Sequence, residues 1–161
     1  QVPVGIGVDW DAPKLYAELA KKGAELSKKS ILDYLSGKIK PVPQDPTKVT
    51  IARKITKEDG KIDFNENASK TVNQIRALQP WPGTHTTRNG KSLKVLRAQA
   101  VLVQAGEIGE VISADAFGFA VQCGHGTALR IMVVQPESRA RQTASEYLNG
   151  NPFKRGDKLG T

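Results

Sequence analysis

The sequence predicts an α+β chain. Its larger part is a mainly β, OB-like Greek-key barrel with one inserted helix, and two helices precede it. Three observations carry this reading. Short segments of strand character follow one another from Thr84 to Val134, separated by turn residues. One helical period, from Asn65 to Leu78, stands ahead of them and stops at Pro80. Two further helical stretches lie near the front, set apart by a proline-rich segment. The boundaries expected are 1–37, 38–61 and 62–161.

In chain order, Val2 to Val8 reads as a strand. From Pro13 to Ser36 the apolar residues fall at helical spacing, with Leu15, Leu19 and Ala20 on one face. Gly23 is expected to divide this stretch into helices at 13–22 and 24–36, and Gly37 to stop the second. Pro41, Pro43 and Pro46 prevent helix in the linker, and Val49 to Ile55 alternates as a half-buried strand does. Asn65 is the expected cap of the inserted helix, whose buried face is Ala68, Val72, Ile75 and Leu78. Strands are expected at Thr84–Thr87, Ser92–Val103, Gly106–Ala114, Gly118–Gln122 and Ala128–Val134. Arg88-Asn89-Gly90 and Gly124-His125-Gly126 suit hairpin turns, because Asn and Gly tolerate positive φ. Thr143-x-x-Glu146 is a capping box for a short last helix.

Composition excludes several classes. No apolar run approaches the ~18 residues of a membrane-spanning helix. One cysteine, Cys123, permits no internal disulfide, as expected in a reducing compartment. Two histidines and that cysteine give no structural zinc set. Gln1-Val2-Pro3-Val4 has neither a basic nor an apolar leader segment, and reads as a chain already running. No phosphate-binding glycine loop and no Gly-x-Ser-x-Gly is present. His85 and His125 have no carboxylate at suggestive spacing, and Cys123 reads as a small buried hydrophobe. No catalytic residue and no metal site is expected in this chain.

Charge is the informative feature. The 24 Lys and Arg outnumber the 16 Asp and Glu, for a net charge of +8. From Asn67 to Gly106 there is no acidic residue, while Lys70, Arg76, Arg88, Lys91, Lys94 and Arg97 fall there. Strand alternation would put Lys91 and Arg97 on one face and Lys94 on the other. Further basic residues lie in the linker (Arg53, Lys54, Lys57) and near the C-terminus (Arg139, Arg141, Lys154, Arg155, Lys158). Brought together, such residues would contact phosphates in a salt-sensitive, sequence-independent way. Spread apart, they would be a solvated edge that resists aggregation. An aromatic content of 6% argues against a broad base-stacking platform.

The most specific segment is Ile75-Arg76-Ala77-Leu78-Gln79-Pro80-Trp81-Pro82-Gly83, preceded by Lys57-Glu58-Asp59-Gly60-Lys61-Ile62-Asp63-Phe64. Together they resemble the methionyl-tRNA formyltransferase family. Collinear matches follow at Leu93-Lys94-Val95, Gly118–Gly126 with its Cys-Gly-x-Gly turn, Gln135-Pro136-Glu137 and Ala144–Gly150. Upstream, Leu15–Leu19 and Lys40-Pro41-x-Pro43-Gln44 resemble the last catalytic-domain helices and the start of the linker. Phe64 stands where the family has Trp, His125 where it often has Asp, and Ala105-Gly106 lacks the usual proline.

The resemblance implies that residues 1–37 are left over from a Rossmann-like catalytic domain. It implies a basic linker at 38–61 and an OB-like tRNA-binding domain at 62–161. The catalytic Asn, His and Asp of the family match no position here, so the chain is expected to be inactive alone and to bind no cofactor itself. The parent would use 10-formyltetrahydrofolate to formylate initiator methionyl-tRNA, as a monomer in the bacterial cytoplasm or an organellar matrix. Its partners would be that tRNA and the catalytic domain, with no membrane. The tRNA-contacting residues implied by charge and resemblance together are Arg53, Lys54, Lys57, Arg76, Arg88, Lys91, Lys94, Arg97, Arg139 and Arg141. Pro80, Trp81 and Pro82 would be structural, with Trp81 packed between helix and barrel. Formyltetrahydrofolate dehydrogenase and the bifunctional sugar-nucleotide formyltransferase carry similar second domains, and a non-catalytic basic interaction module is a third reading.

Overall fold

The computed structural model describes residues 1–154 and 156–160. The chain divides into two units, Gln1–Ile55 and Thr56–Thr161.

The first unit is built on one helix, α1 (Ala12–Leu35), not two. Its N-cap is Asp11, which accepts a 3.0 Å hydrogen bond from the Lys14 backbone N–H. Gly23 does not interrupt it. An interior glycine costs a helix only about 1 kcal/mol, less than the turns on either side supply. The stop does come at Gly37, with φ of 73°. Lys38 donates to the Asp33 carbonyl and Gly37 to the Tyr34 carbonyl, the paired bonds of a Schellman end. No residue of α1 is buried. The expected strands at Val2–Val8 and Val49–Ile55 do not form, because neither segment finds a ladder partner among the described residues. Val49, Ile51 and Ile55 are exposed, and one 3-10 turn, Pro46–Lys48, punctuates the linker.

The second unit is mixed α+β. Six antiparallel strands are β1 (Thr84–Arg88), β2 (Lys91–Leu102), β3 (Val111–Asp115), β4 (Gly118–Gln122), β5 (Thr127–Pro136) and β6 (Gln142–Thr143). They lie in the order β1-β2-β5-β4-β3, with β6 paired to β5. Helices α2 (Ala68–Ala77) and α3 (Ala144–Gly150) flank them. The β1–β2 hairpin turns on Asn89 and Gly90, both at positive φ, and the β4–β5 connection on His125 and Gly126. The expected 106–114 strand is half as long, because Gly106–Glu110 is a turn. Glu110 donates its N–H to the Glu107 carbonyl, and the Glu107 N–H donates to the Glu110 carboxylate at 2.9 Å. The two-residue β6 gave no periodic signal in the sequence.

Phe119, fully buried, centres the core with Leu93, Val95, Val121, Leu129, Ile131 and Val134. Its ring meets Phe153 at 4.8 Å and Tyr147 at 6.3 Å between centroids. Phe64 is buried as an aromatic plug. α2 is capped by Asn67 rather than Asn65: the Asn67 side chain accepts from Ser69 N–H at 2.8 Å. Asn65 instead donates from both its backbone and side-chain nitrogens to Asp63. The helix start is also fixed from the sheet, since Thr127 Oγ1 accepts from Ala68 N–H and donates to the Gly124 carbonyl. Gly124 is required there, because a Cβ would sit 1.9 Å from the Asn65 carbonyl oxygen. The last capping box forms as expected, with Thr143 and Glu146 bonded reciprocally.

Candidate nucleic-acid interface

The outward side of β1 and β2 carries the charge. Along β2, Leu93 and Val95 point into the core while Lys94 is exposed. Lys94 lies opposite His85 on β1 and Gln135 on β5, and His85 is bridged to Lys61. One row across the sheet therefore reads Lys61, His85, Lys94, Gln135. The register then slips between Val95 and Ala98. The irregularity falls on both strands, three residues from Val95 to Ala98 facing three from Val134 to Ile131, so that Ala98 packs on the core and Arg97 turns outward. The expected partition is thus corrected: Arg97 shares the outer face with Lys94, not with Lys91. Simple alternation could not reveal a bulge.

At the hairpin end, Lys91 and Arg139 line one cleft of about 290 Å³ with Asn89, Ser92 and Glu137. The β2–β5 pairing continues past Pro136, where Glu137 N–H donates to the Ser92 carbonyl at 3.1 Å. That pairing joins the hairpin cations to part of the C-terminal basic group. Among the described residues, Lys91, Lys94 and Arg97 enter no ion pair.

Arg88, at the floor of the same cleft, is placed differently. Only 12% of its side chain is exposed. It donates to the Asn151 carbonyl at 2.8 Å, the Pro152 carbonyl at 2.7 Å and the Tyr147 hydroxyl at 3.2 Å. Its guanidinium stacks 3.8 Å from the Phe153 ring centroid and lies 3.7 Å from Asp157. The sequence could not show this, because all five partners lie about 60 or more positions downstream. Arg76 is half-buried and donates to Asn73 Oδ1 at 2.9 Å. Arg139 and Arg141 are exposed, as is Lys57, and Arg130 is committed to Asp115. Arg53 and Lys54 are exposed in the first unit. Arg155 lies outside the described residues.

The Pro80-Trp81-Pro82 turn departs from expectation. Trp81 does not pack between helix and sheet; it is 58% exposed. The peptides Gln79–Pro80 and Trp81–Pro82 are both cis. The turn is closed by Gly83 N–H on the Leu78 carbonyl at 2.8 Å, and Gln79 Nε2 donates to the Leu96 carbonyl at 2.6 Å. With a proline on each side, the indole is held on the outside of the reversal.

His125 is an exposed turn residue, and His85 stands in the row between Lys61 and Lys94. Cys123 is buried, and burial pushes its thiol up to about 11. No cluster of metal-ligating side chains occurs among the described residues.

Residues 54–152 match the formyl transferase, C-terminal domain family. The chain belongs to that family. Methionyl-tRNA formyltransferase of Myxococcus xanthus is 37% identical over 155 residues, which cover 96% of this chain and 49% of that protein. The enzyme of the same name from Anaeromyxobacter dehalogenans is 40% identical over 150 residues, covering 91% and 48%. This formyl transferase C-terminal domain chain thus spans about half the length of the curated relatives it matches, and corresponds to their C-terminal half. Among solved structures, HypX from Aquifex aeolicus shares the fold, with a TM-score of 0.64 at 17% identity over 91% of this chain and 26% of that one. HypX in complex with tetrahydrofolic acid matches at 0.57, over 85% of this chain and 26% of that one, also at 17% identity. No helix among the described residues is long and apolar enough to cross a membrane.

Proposed function

We propose that this chain is the tRNA-holding part of a methionyl-tRNA formyltransferase. The observation that carries the reading is the outer face of β1 and β2, where the bulge adds Arg97 to Lys94 on a stretch free of carboxylates. Lys91 and Arg139 extend it at the hairpin end. Such a surface meets backbone phosphates, positions an RNA and reads no sequence. Lys57, Arg76 and Arg141, and Arg53 and Lys54 of the first unit, are further proposed contacts. Arg88 serves the site by holding the hairpin against α3 and the C-terminal tail.

The parent enzyme transfers a formyl group from 10-formyltetrahydrofolate to the amino group of initiator methionyl-tRNA in bacterial or organellar translation. The relatives named above support this. The chain contributes affinity and orientation; folate binding and formyl transfer belong to the catalytic half, so the chain alone is inactive and binds no folate. The fold reading is an OB-like barrel, 62–161, closed by the C-terminal tail. Supporting closure, Leu159 N–H donates to the Gly109 carbonyl beside β3, and Gly160 N–H to the Thr87 carbonyl of β1. The charge-reversed variant Lys94→Glu/Arg97→Glu, with unchanged melting temperature, is expected to lose tRNA binding uniformly. Its salt slope should fall by about two, one for each phosphate contact removed. An unaltered affinity removes this face from the interface. A sugar-nucleotide substrate, as in the related bifunctional enzyme, needs no cationic surface of this breadth.

A further inference from the structure

We propose that Trp81 is a stacking contact for an unpaired RNA base, with Arg97 and Lys57 on the phosphates that flank it. This deepens the tRNA reading and rests on it. The Trp81 ring is 58% exposed, so its face is open to a ligand. Its setting selects the kind of partner. The turn that carries it lies in the acid-free stretch from Asn67 to Gly106. On one side the turn is tied to the β2 bulge, through Gln79 Nε2 on the Leu96 carbonyl, the residue before the outward-facing Arg97. On the other, Gly60 packs so closely on Gly83 that a Cβ would stand 2.2 Å from the Gly83 carbonyl oxygen. That contact brings the Lys57–Lys61 turn against the Trp81 turn; Glu58 is the acidic residue exposed there.

The indole is presented with little left to order. Two prolines fix the backbone around it, and hydrogen bonds from Gln79 and Gly83 anchor the turn to β2 and to the end of α2. A preorganised aromatic face on a turn tied to the segments that carry Arg97 and Lys57 fits a splayed-out base better than an apolar protein surface, which would gain nothing from those cations. Paired RNA hides its base faces inside the helix, so the ligand is an unpaired nucleotide in a loop or at an end. Stacking carries no base preference of its own, because every base has a π-face.

Trp10 is the other of the two tryptophans, so Trp10→Phe leaves Trp81 as the single reporter. Two signals are read on the full chain with initiator tRNA: anisotropy of the labelled RNA for binding, and indole emission for stacking. The expected result is saturable quenching of Trp81 that tracks binding. Trp81→Leu should weaken tRNA binding about tenfold, Trp81→Phe should restore most of it, and a blunt RNA duplex should bind both variants equally. Binding with unchanged emission and an unaffected Trp81→Leu overturns the stacking contact and leaves the tRNA reading standing. An equal loss on duplex and tRNA also overturns it, as does an indole that responds to the catalytic half of a relative but not to RNA. Absence of any binding at low salt overturns the tRNA reading itself, and this inference with it.

Discussion

Arg88 shows how residue type and residue role part company. By charge it belongs with Lys91 and Lys94; by position it is an internal brace, spending its donors on the Asn151 and Pro152 carbonyls and its flat face on Phe153. Planar, bidentate donation with ring stacking is available to guanidinium and not to an ammonium group. Arg88→Lys should therefore destabilise the second unit by about 1–3 kcal/mol in chemical denaturation. A lysine variant as stable as the parent chain would contradict the brace. Cys123 gives a second test at this scale. Burial raises its folded pKa to about 11, above the ordinary 9.0, so the folded state favours the neutral thiol. That contribution is complete below pH 9 and is lost as pH rises toward 11. Stability should fall across that window in the parent chain and less so in Cys123→Ala. Thiol reagents at pH 7 should label Cys123 only on unfolding.

Among elements, legibility followed periodicity. Strands β1, β4 and β5, helix α2 and the Thr143–Glu146 box were readable because apolar patterning, turn chemistry and the last capping box agreed with the fold. Three kinds of feature were not. The Val49–Ile55 pattern is strand-like, yet a strand exists only where another edge accepts its hydrogen bonds. The bulge at Val95–Ala98 leaves no mark in residue type, and it decides which face Arg97 occupies. Trp81 was expected to pack between helix and barrel at the proline-stiffened exit from α2, and it stands instead on the outside of that turn. Gly23 is the simplest error, since glycine weakens a helix without ending it. A Cβ at Gly23 meets nothing within 4 Å. Gly23→Ala should raise the helicity and stability of α1 by about 0.5–1 kcal/mol, measured by circular dichroism against temperature. A loss of helicity would restore the two-helix reading.

Across the whole molecule, the excess of basic residues was legible as a total, and its distribution was not. The hairpin, the β2 bulge and the turn after β5 converge only through antiparallel pairings between segments some 40 residues apart. That charge is the basis of the RNA binding proposed for this chain, which spans about half the length of the relatives it matches. Fluorescence anisotropy of initiator tRNA with this chain across a salt series tests that account most directly. The account predicts saturable binding whose log affinity falls steeply and linearly with log salt, with a shallower slope for Lys94→Glu/Arg97→Glu. Binding indifferent to salt, or none at low ionic strength, would contradict it.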